Sequence, residues 1–307
     1  MGSSTLMETI YRGHMAKPRG WLEWNTEQAR GWIRVPGPAD DKYTRGVLGV
    51  MTGSKDYPGA AVLGVEAAAR TGVGMVRYLG PGRAGTLVLQ RRPEVVLVSG
   101  RVQAWLLGSG INAATRGAEV TRELDEALAA GLPTVCDAGV LDRLRLPEAE
   151  AASQVVITPH YRELAALLNG LPKAKQTTAE QIAAAPAEAA VRAARLLGVT
   201  VLLKGSVTRI ASPTGARLTV SGSPAWLSTA GSGDVLGGIL GALLATNSAR
   251  IETDTDALAA LAATAALVHA RAAELASAGG PITALDVAEA VPTVMRALLA
   301  VAAEGKH

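Results

Sequence analysis

The stretch DKYTRGVLGVMTGSKDYPGAAVLGVEAAARTGVGMVRYLGP, residues 41–81, decides the fold. Its apolar run over 47–51 reads as a strand, a Gly-Ser loop follows, and a helix is predicted from about Pro58 to Thr71 with Gly72 closing it. An apolar run over 73–79 returns as a second strand. Strand, helix and strand in that order make a crossover unit, the connection that parallel strands require. The same rhythm repeats outward. Strands are predicted over 94–99, 104–109, 133–138, 154–159 and 200–205, mostly apolar throughout, as strands covered on both faces should be. Helices are predicted over 116–130, 161–169 and 179–197, closed by Gly131, Gly170 and Gly198. The rhythm changes after residue 205: 207–222 reads as a hairpin turning at Pro213-Thr214-Gly215, and helices over about 234–246, 254–277 and 284–302 finish the chain. The fold class is α/β with a mostly parallel sheet.

Composition narrows the function. The chain has 307 residues with 30 Lys and Arg against 27 Asp and Glu, and the basic residues are scattered, so no nucleic-acid footprint is expected. The single cysteine, Cys136, excludes an internal disulfide framework, and a cytoplasmic location is the expectation. The apolar stretches VLGGILGALLA and ALAALAATAALVHA fall short of the ~20 residues that cross a bilayer, so they read as buried helices with no membrane partner. Residues 1–15 read as a tag or disordered tail, and 16–307 as one domain. No Cys/His cluster marks a metal site; His14, His160, His269 and His307 are far apart in sequence.

In open parallel sheets ligands gather beyond the C-terminal ends of the strands, so the loops leaving each strand carry the chemistry. In WLSTAGSGDVLGG (226–238) two glycines let backbone N–H groups approach an anion at a helix N-terminus. Asp234 in that first turn is either a base that accepts a hydroxyl proton during phosphoryl transfer or simply a helix cap. Lys204 in LLKGSVT is either a phosphate-binding point charge or a solvated strand end. His160 and Glu163 in TPHYRE open a helix, as ligand contacts or as first-turn residues. The small residues Tyr57 to Ala61 admit a flat ligand or close helix packing. The glycine pair in LLGSGIN is uninformative by itself.

Taken in order, KYTRG, GSKDYPGAA, GSG, DAG, TPHYRE, LKGSVT and AGSGDVLGG resemble the ADP-dependent NAD(P)H-hydrate dehydratases of the ribokinase superfamily, from about residue 36 to 300. The resemblance implies a three-layer α/β/α fold and a repair reaction on hydrated NADH or NADPH, with ADP, or ATP in its place, as phosphoryl donor and Mg²⁺ as phosphate counter-charge. By position it implies Asp234 as catalytic base that also touches the hydrated cofactor. Gly233 and Lys204, Gly205, Ser206, Val207 and Thr208 would hold the AMP part, and Ala60, Gly110 and His160 the hydrated cofactor. It also implies a homo-oligomer, up to a tetramer, and a stand-alone form without the epimerase domain that many relatives carry in front. The chain departs from the family pattern at Asp41, where His is usual, at Gly139, often an acid, and at Ala270, often Gly; VSGSPAW lacks an expected Asn. Two other readings share these residues: a hydroxyethylthiazole or hydroxymethylpyrimidine-phosphate type kinase using Asp234 identically, and a nucleotide-binding relative without catalysis.

Overall fold

The computed structural model describes residues 20–144, 154–172 and 176–300. The expected tail over 1–15, with His14, lies outside them, as do His307 and residues 173–175 of the soft segment near 170–181. Nine strands form one sheet: β1 (Leu22–Glu23), β2 (Val47–Met51), β3 (Met75–Tyr78), β4 (Ala104–Leu107), β5 (Thr134–Cys136), β6 (Val155–Ile157), β7 (Thr200–Leu203), β8 (Thr208–Ala211) and β9 (Arg217–Val220). Their order is β1-β9-β8-β7-β6-β5-β4-β2-β3. Strands β2 to β7 are parallel, and β7, β8 and β9 pair antiparallel through the expected hairpin.

Helices cover both faces: α1 (Thr26–Arg30), α2 (Gly59–Thr71), α3 (Gly82–Arg91), α4 (Ala118–Ala129), α5 (Tyr161–Asn169), α6 (Ala179–Ala184), α7 (Pro186–Leu197), α8 (Ser232–Thr246), α9 (Ser248–Ile251), α10 (Ala257–Ser277) and α11 (Ala284–Ala300). Alternation along the strands sorts the core into two layers. Leu48, Leu106, Val135, Val156 and Leu202 point to α2, α8, α10 and α11. Leu107, Cys136, Ile157 and Leu203 point to α4, α5 and α7. The three-layer arrangement follows.

Several boundaries differ from the sequence expectation. The run over 94–99 is no strand; it makes one bridge, Val96 to Arg77, along the outer edge of β3. The helix expected over 179–197 breaks at Ala185, because Pro186 cannot continue a helix from the preceding turn. Polar residues 252–256 separate α9 from α10. Sequence reading passed over β1, α1 and α3; the last, GRAGTLVLQR, buries only Ala84, Gly85 and Val88, too sparse a stripe to stand out. Gly72, Gly131 and Gly198 take positive φ at their helix ends and Gly170 does not. Helix α10 runs to 21 residues, long and apolar enough by length to span a bilayer, but 83% of its apolar window is packed inside the described fold.

Helices α2 and α8 pack through small residues. A Cβ at Gly238 would overlap the Gly64 carbonyl and stand 2.9 Å from the Ala67 Cβ. Gly238→Ala is therefore expected to cost about 1–3 kcal/mol by prising the pair apart, read as a lowered urea midpoint. An unchanged midpoint would mean the helices separate freely.

Candidate active site

Because β2 and β4 to β7 are parallel, their C-terminal ends share one edge, and Gly53, Gly108 to Gly110, Asp137, Thr158 to His160 and Lys204 follow them there. Asp137, only 5% exposed, is the hub. Its Oδ1 accepts from Thr158 Oγ1 at 2.8 Å and Lys204 Nζ at 3.0 Å, and its Oδ2 accepts from Ser109 Oγ at 3.2 Å. Lys204 Nζ also lies 3.8 Å from Glu163 Oε2. Burial alone would lower the Lys204 pKa; the charges of Asp137 and Glu163 overcome this and raise it, so the ammonium is held charged.

Helix α8 enters this edge from Gly231, at φ +87°, and no side chain caps it. Its dipole and the first-turn N–H groups that follow Ser232 are thus open to an anion. Asp234, third residue of the helix, does not cap. Burial pushes its carboxyl up, the neighbouring Asp137 charge pushes it further, and Lys204 and a Ser109 hydrogen bond only partly offset them, leaving it at about 7. A carboxyl that gives and takes a proton near neutral pH suits general-base work. Close behind it His269 is buried; desolvation first, then the Lys204 charge, depress its pKa to about 4 against the opposing Ser232 backbone, so the imidazole is neutral. The Cys136 thiol, buried beside Asp137, is pushed upward and is no nucleophile.

Most expected site residues converge here. Gly110, at φ +68°, has room for no side chain: a Cβ would stand 2.5 Å from the Ala60 Cβ and 3.0 Å from the Tyr57 carbonyl oxygen. Ala60 and Gly110 thus form one surface, joined through Ser109 to Asp234. Gly233 faces the lysine, a Cβ there lying 3.4 Å from Lys204 Nζ. Gly205 turns against the Tyr161 ring, and Ser206 and Val207 lead to Thr208 at the start of β8. His160 caps α5: its Nδ1 accepts from the N–H groups of Arg162 and Glu163 at 3.2 Å each, while Glu163 Oε2 accepts from the His160 N–H at 2.8 Å. Its side chain remains half exposed. Asp137 is the residue that sequence reading left without a role, although CDAG at a strand end was the signal.

Of the family departures, Asp41 falls away from this chemistry, whereas Gly139 stands two residues after Asp137 with its N–H donating to the Gly108 carbonyl at 3.2 Å. Asp41 accepts from the N–H groups of Tyr43 and Thr44 at 2.8 Å each, in the turn entering β2 at the opposite edge. At Gly139 an added Cβ would overlap the Ile111 carbonyl. A cleft of about 700 Å³ lined by Arg34, Arg101 and Arg250 also opens at that opposite edge and contains none of the site residues.

A mixed, mostly parallel sheet between helix layers is the ribokinase-like fold. Within it, the family model described as NAD(P)H-hydrate dehydratase matches residues 48–293, and the chain belongs to that family. It is 44% identical over 229 residues to the bifunctional NAD(P)H-hydrate repair enzyme Nnr of Mycobacterium tuberculosis, covering 72% of this chain and 45% of that protein. It is 33% identical to the ADP-dependent (S)-NAD(P)H-hydrate dehydratase of Neisseria meningitidis, covering 66% of this chain and 71% of that one. The ADP/ATP-dependent NAD(P)H-hydrate dehydratase of Bacillus subtilis, co-crystallised with ATP and Mg²⁺, superposes with a TM-score of 0.78 at 24% identity, over 92% of this chain and 100% of that one. The chain spans about half the length of the first curated relatives it matches.

Proposed function

We propose that this chain dehydrates hydrated NADH or NADPH at the expense of ADP, releasing AMP and phosphate. The carrying observation is Asp234: it leaves its own helix uncapped, sits between the Ala60–Gly110 surface and Lys204, and titrates near neutrality. The hydrated ring lies against Ala60 and Gly110 with His160 at the rim. Asp234 takes the proton of the ring hydroxyl as that oxygen bonds to the β-phosphorus of ADP and the bond to the AMP oxygen breaks. The hydroxyl becomes a phosphate ester, a good leaving group. Its C–O bond then breaks, and the departing phosphate takes a proton from the neighbouring carbon as the ring double bond returns.

Lys204 and the open N-terminus of α8 hold the phosphates, and the turn Gly205 to Thr208 with Gly233 holds the rest of the AMP part. Magnesium, when bound, supplies counter-charge to the phosphates. The donor set here fits a metal that rides on phosphate oxygens and water: no group of three metal-ligating side chains occurs among the described residues, and Asp137 and Glu163 both face Lys204. A cytoplasmic homo-oligomer is part of the same reading.

The nucleotide half is tested with Lys204→Ala. Isothermal calorimetry should show ADP affinity falling about tenfold or more, the scale of a lost charge-assisted contact, with little loss for hydrated NADH. Equal losses for both ligands would place Lys204 outside the nucleotide site. The reaction itself is read by mixing the protein with hydrated NADH, Mg²⁺ and ADP: the reduced-ring absorbance should recover, and only when nucleotide is present.

A further inference from the structure

Trp226 is 51% exposed, whereas Trp24 and Trp32 are buried and Trp21 and Trp105 are partly covered. Its ring offers a large, flat, mostly apolar face to solvent, the kind of face on which another flat ring can stack. The residue does not hang on a loose loop. It sits in a 3-10 turn, Ala225–Leu227, that packs on α10. The Leu227 N–H donates to the Pro224 carbonyl at 3.0 Å, the Ser228 N–H to Ala225 at 3.1 Å and the Thr229 N–H to Leu227 at 2.8 Å. The Ser232 N–H then donates to Thr229 at 3.4 Å, which ties the turn to the start of α8.

Topology decides which ligand this ring meets. Strand β8 is antiparallel to both β7 and β9, so β7 and β9 point the same way and end at the same edge of the sheet. The chain leaves β9 at that edge and must reach Gly231, beside the ends of β4 and β5. Residues 221–231 therefore run from the end of β9 toward the ends of β4 and β5, and the strands between, β8, β7 and β6, include the pair joined by the turn Lys204–Thr208. The Ala60–Gly110 surface lies on the other side of Asp234, near the ends of β2 and β4. Trp226 belongs to the phosphate-donor half.

We propose that Trp226 is the stacking platform for the purine base of the phosphoryl donor, with Lys204 and the start of α8 taking the phosphates at the other end. This rests on the nucleotide reading of the site given above. Stacking recognises the flat ring and not the phosphates, so the two ends can be tested apart.

Trp226→Ala is expected to weaken AMP and ADP binding by about ten- to a hundredfold, the range of one base–aromatic stack, and to leave inorganic pyrophosphate binding unchanged. Trp226→Phe should restore most of the loss. The preference of the wild type for ADP over a pyrimidine nucleoside diphosphate should shrink in the Ala variant. AMP should quench tryptophan emission in the wild type and not in Trp226→Phe, and pyrophosphate should do neither. Wild-type affinity for AMP in Trp226→Ala overturns the proposal, and so does an equal loss for AMP and pyrophosphate, which would mean a displaced loop. A loss confined to the hydrated dinucleotide would hand Trp226 to the other ligand and likewise overturn it. A wild type that binds neither AMP, ADP nor pyrophosphate would instead remove the nucleotide reading itself.

Discussion

Asp234→Asn lowers turnover by about 10²- to 10⁴-fold, the usual cost of losing a general base, while ADP affinity stays close to wild type. The amide keeps the size of the carboxyl but accepts no proton. It also removes a negative charge from beside Asp137. A carboxyl raised from 3.8 to about 7 binds its proton more tightly in the folded state, so its contribution to stability falls as pH rises from about 4 through 7. The Asn variant should therefore melt no lower than wild type at pH 8. In the wild type the rate should fall as pH drops through about 7, where Asp234 takes up its proton. Retention of more than a tenth of the rate in Asp234→Asn would return Asp234 to a structural role.

The second large effect is on stability. Glu66, in the middle of α2, is wholly buried and accepts from Arg70 Nε at 2.5 Å, from Arg92 through both its Nε and its Nη2, and from Arg91 Nη2 at 3.3 Å. Arg91 also bonds Glu289 of α11, so Glu66 joins α2 to α3 and Arg91 carries the network on to α11. Burial alone would raise the Glu66 pKa, but hydrogen bonds from Arg92 and Arg70 and the Arg92 charge carry it down from 4.5 to about 2. Removing one member of a buried charged cluster typically costs about 3–5 kcal/mol, because the others are left uncompensated. Glu66→Gln should lose that amount at pH 7 by urea denaturation. A depressed carboxyl stabilises above its unfolded pKa and ceases to do so as pH falls through the folded one. The gap between wild type and Glu66→Gln should then narrow between about pH 4.5 and 2. A gap that stays constant down to pH 2 would show that charge plays no part.

The parallel core was legible because its strands are short apolar runs between helices; the strand predicted over 47–51 is β2 to the residue. What escaped depended on contacts distant in sequence. Asp137 meets Thr158, Ser109 and Lys204 across separations of 21, 28 and 67 residues, so its tetrapeptide reveals only an acid after a strand. Glu66 looks like any helical Glu with an Arg four positions on until α3 brings Arg91 and Arg92 onto it. The Gly110–Ala60 contact was equally invisible, since only the fold sets the glycine loop after β4 on the first turn of α2. Asp234 could be read as cap or base from sequence, and the absence of any side-chain cap on α8 favours the base.

The most direct measurement follows products. With hydrated NADH, Mg²⁺ and ADP, inorganic phosphate, AMP and restored reduced-ring absorbance should rise together at about one to one to one, because each phosphate ester formed has an elimination path open to it. A small-molecule kinase would accumulate a stable phosphate ester and release no phosphate. Absorbance that recovers without nucleotide, or a phosphorylated thiazole or pyrimidine alcohol formed at comparable rate, would contradict the account.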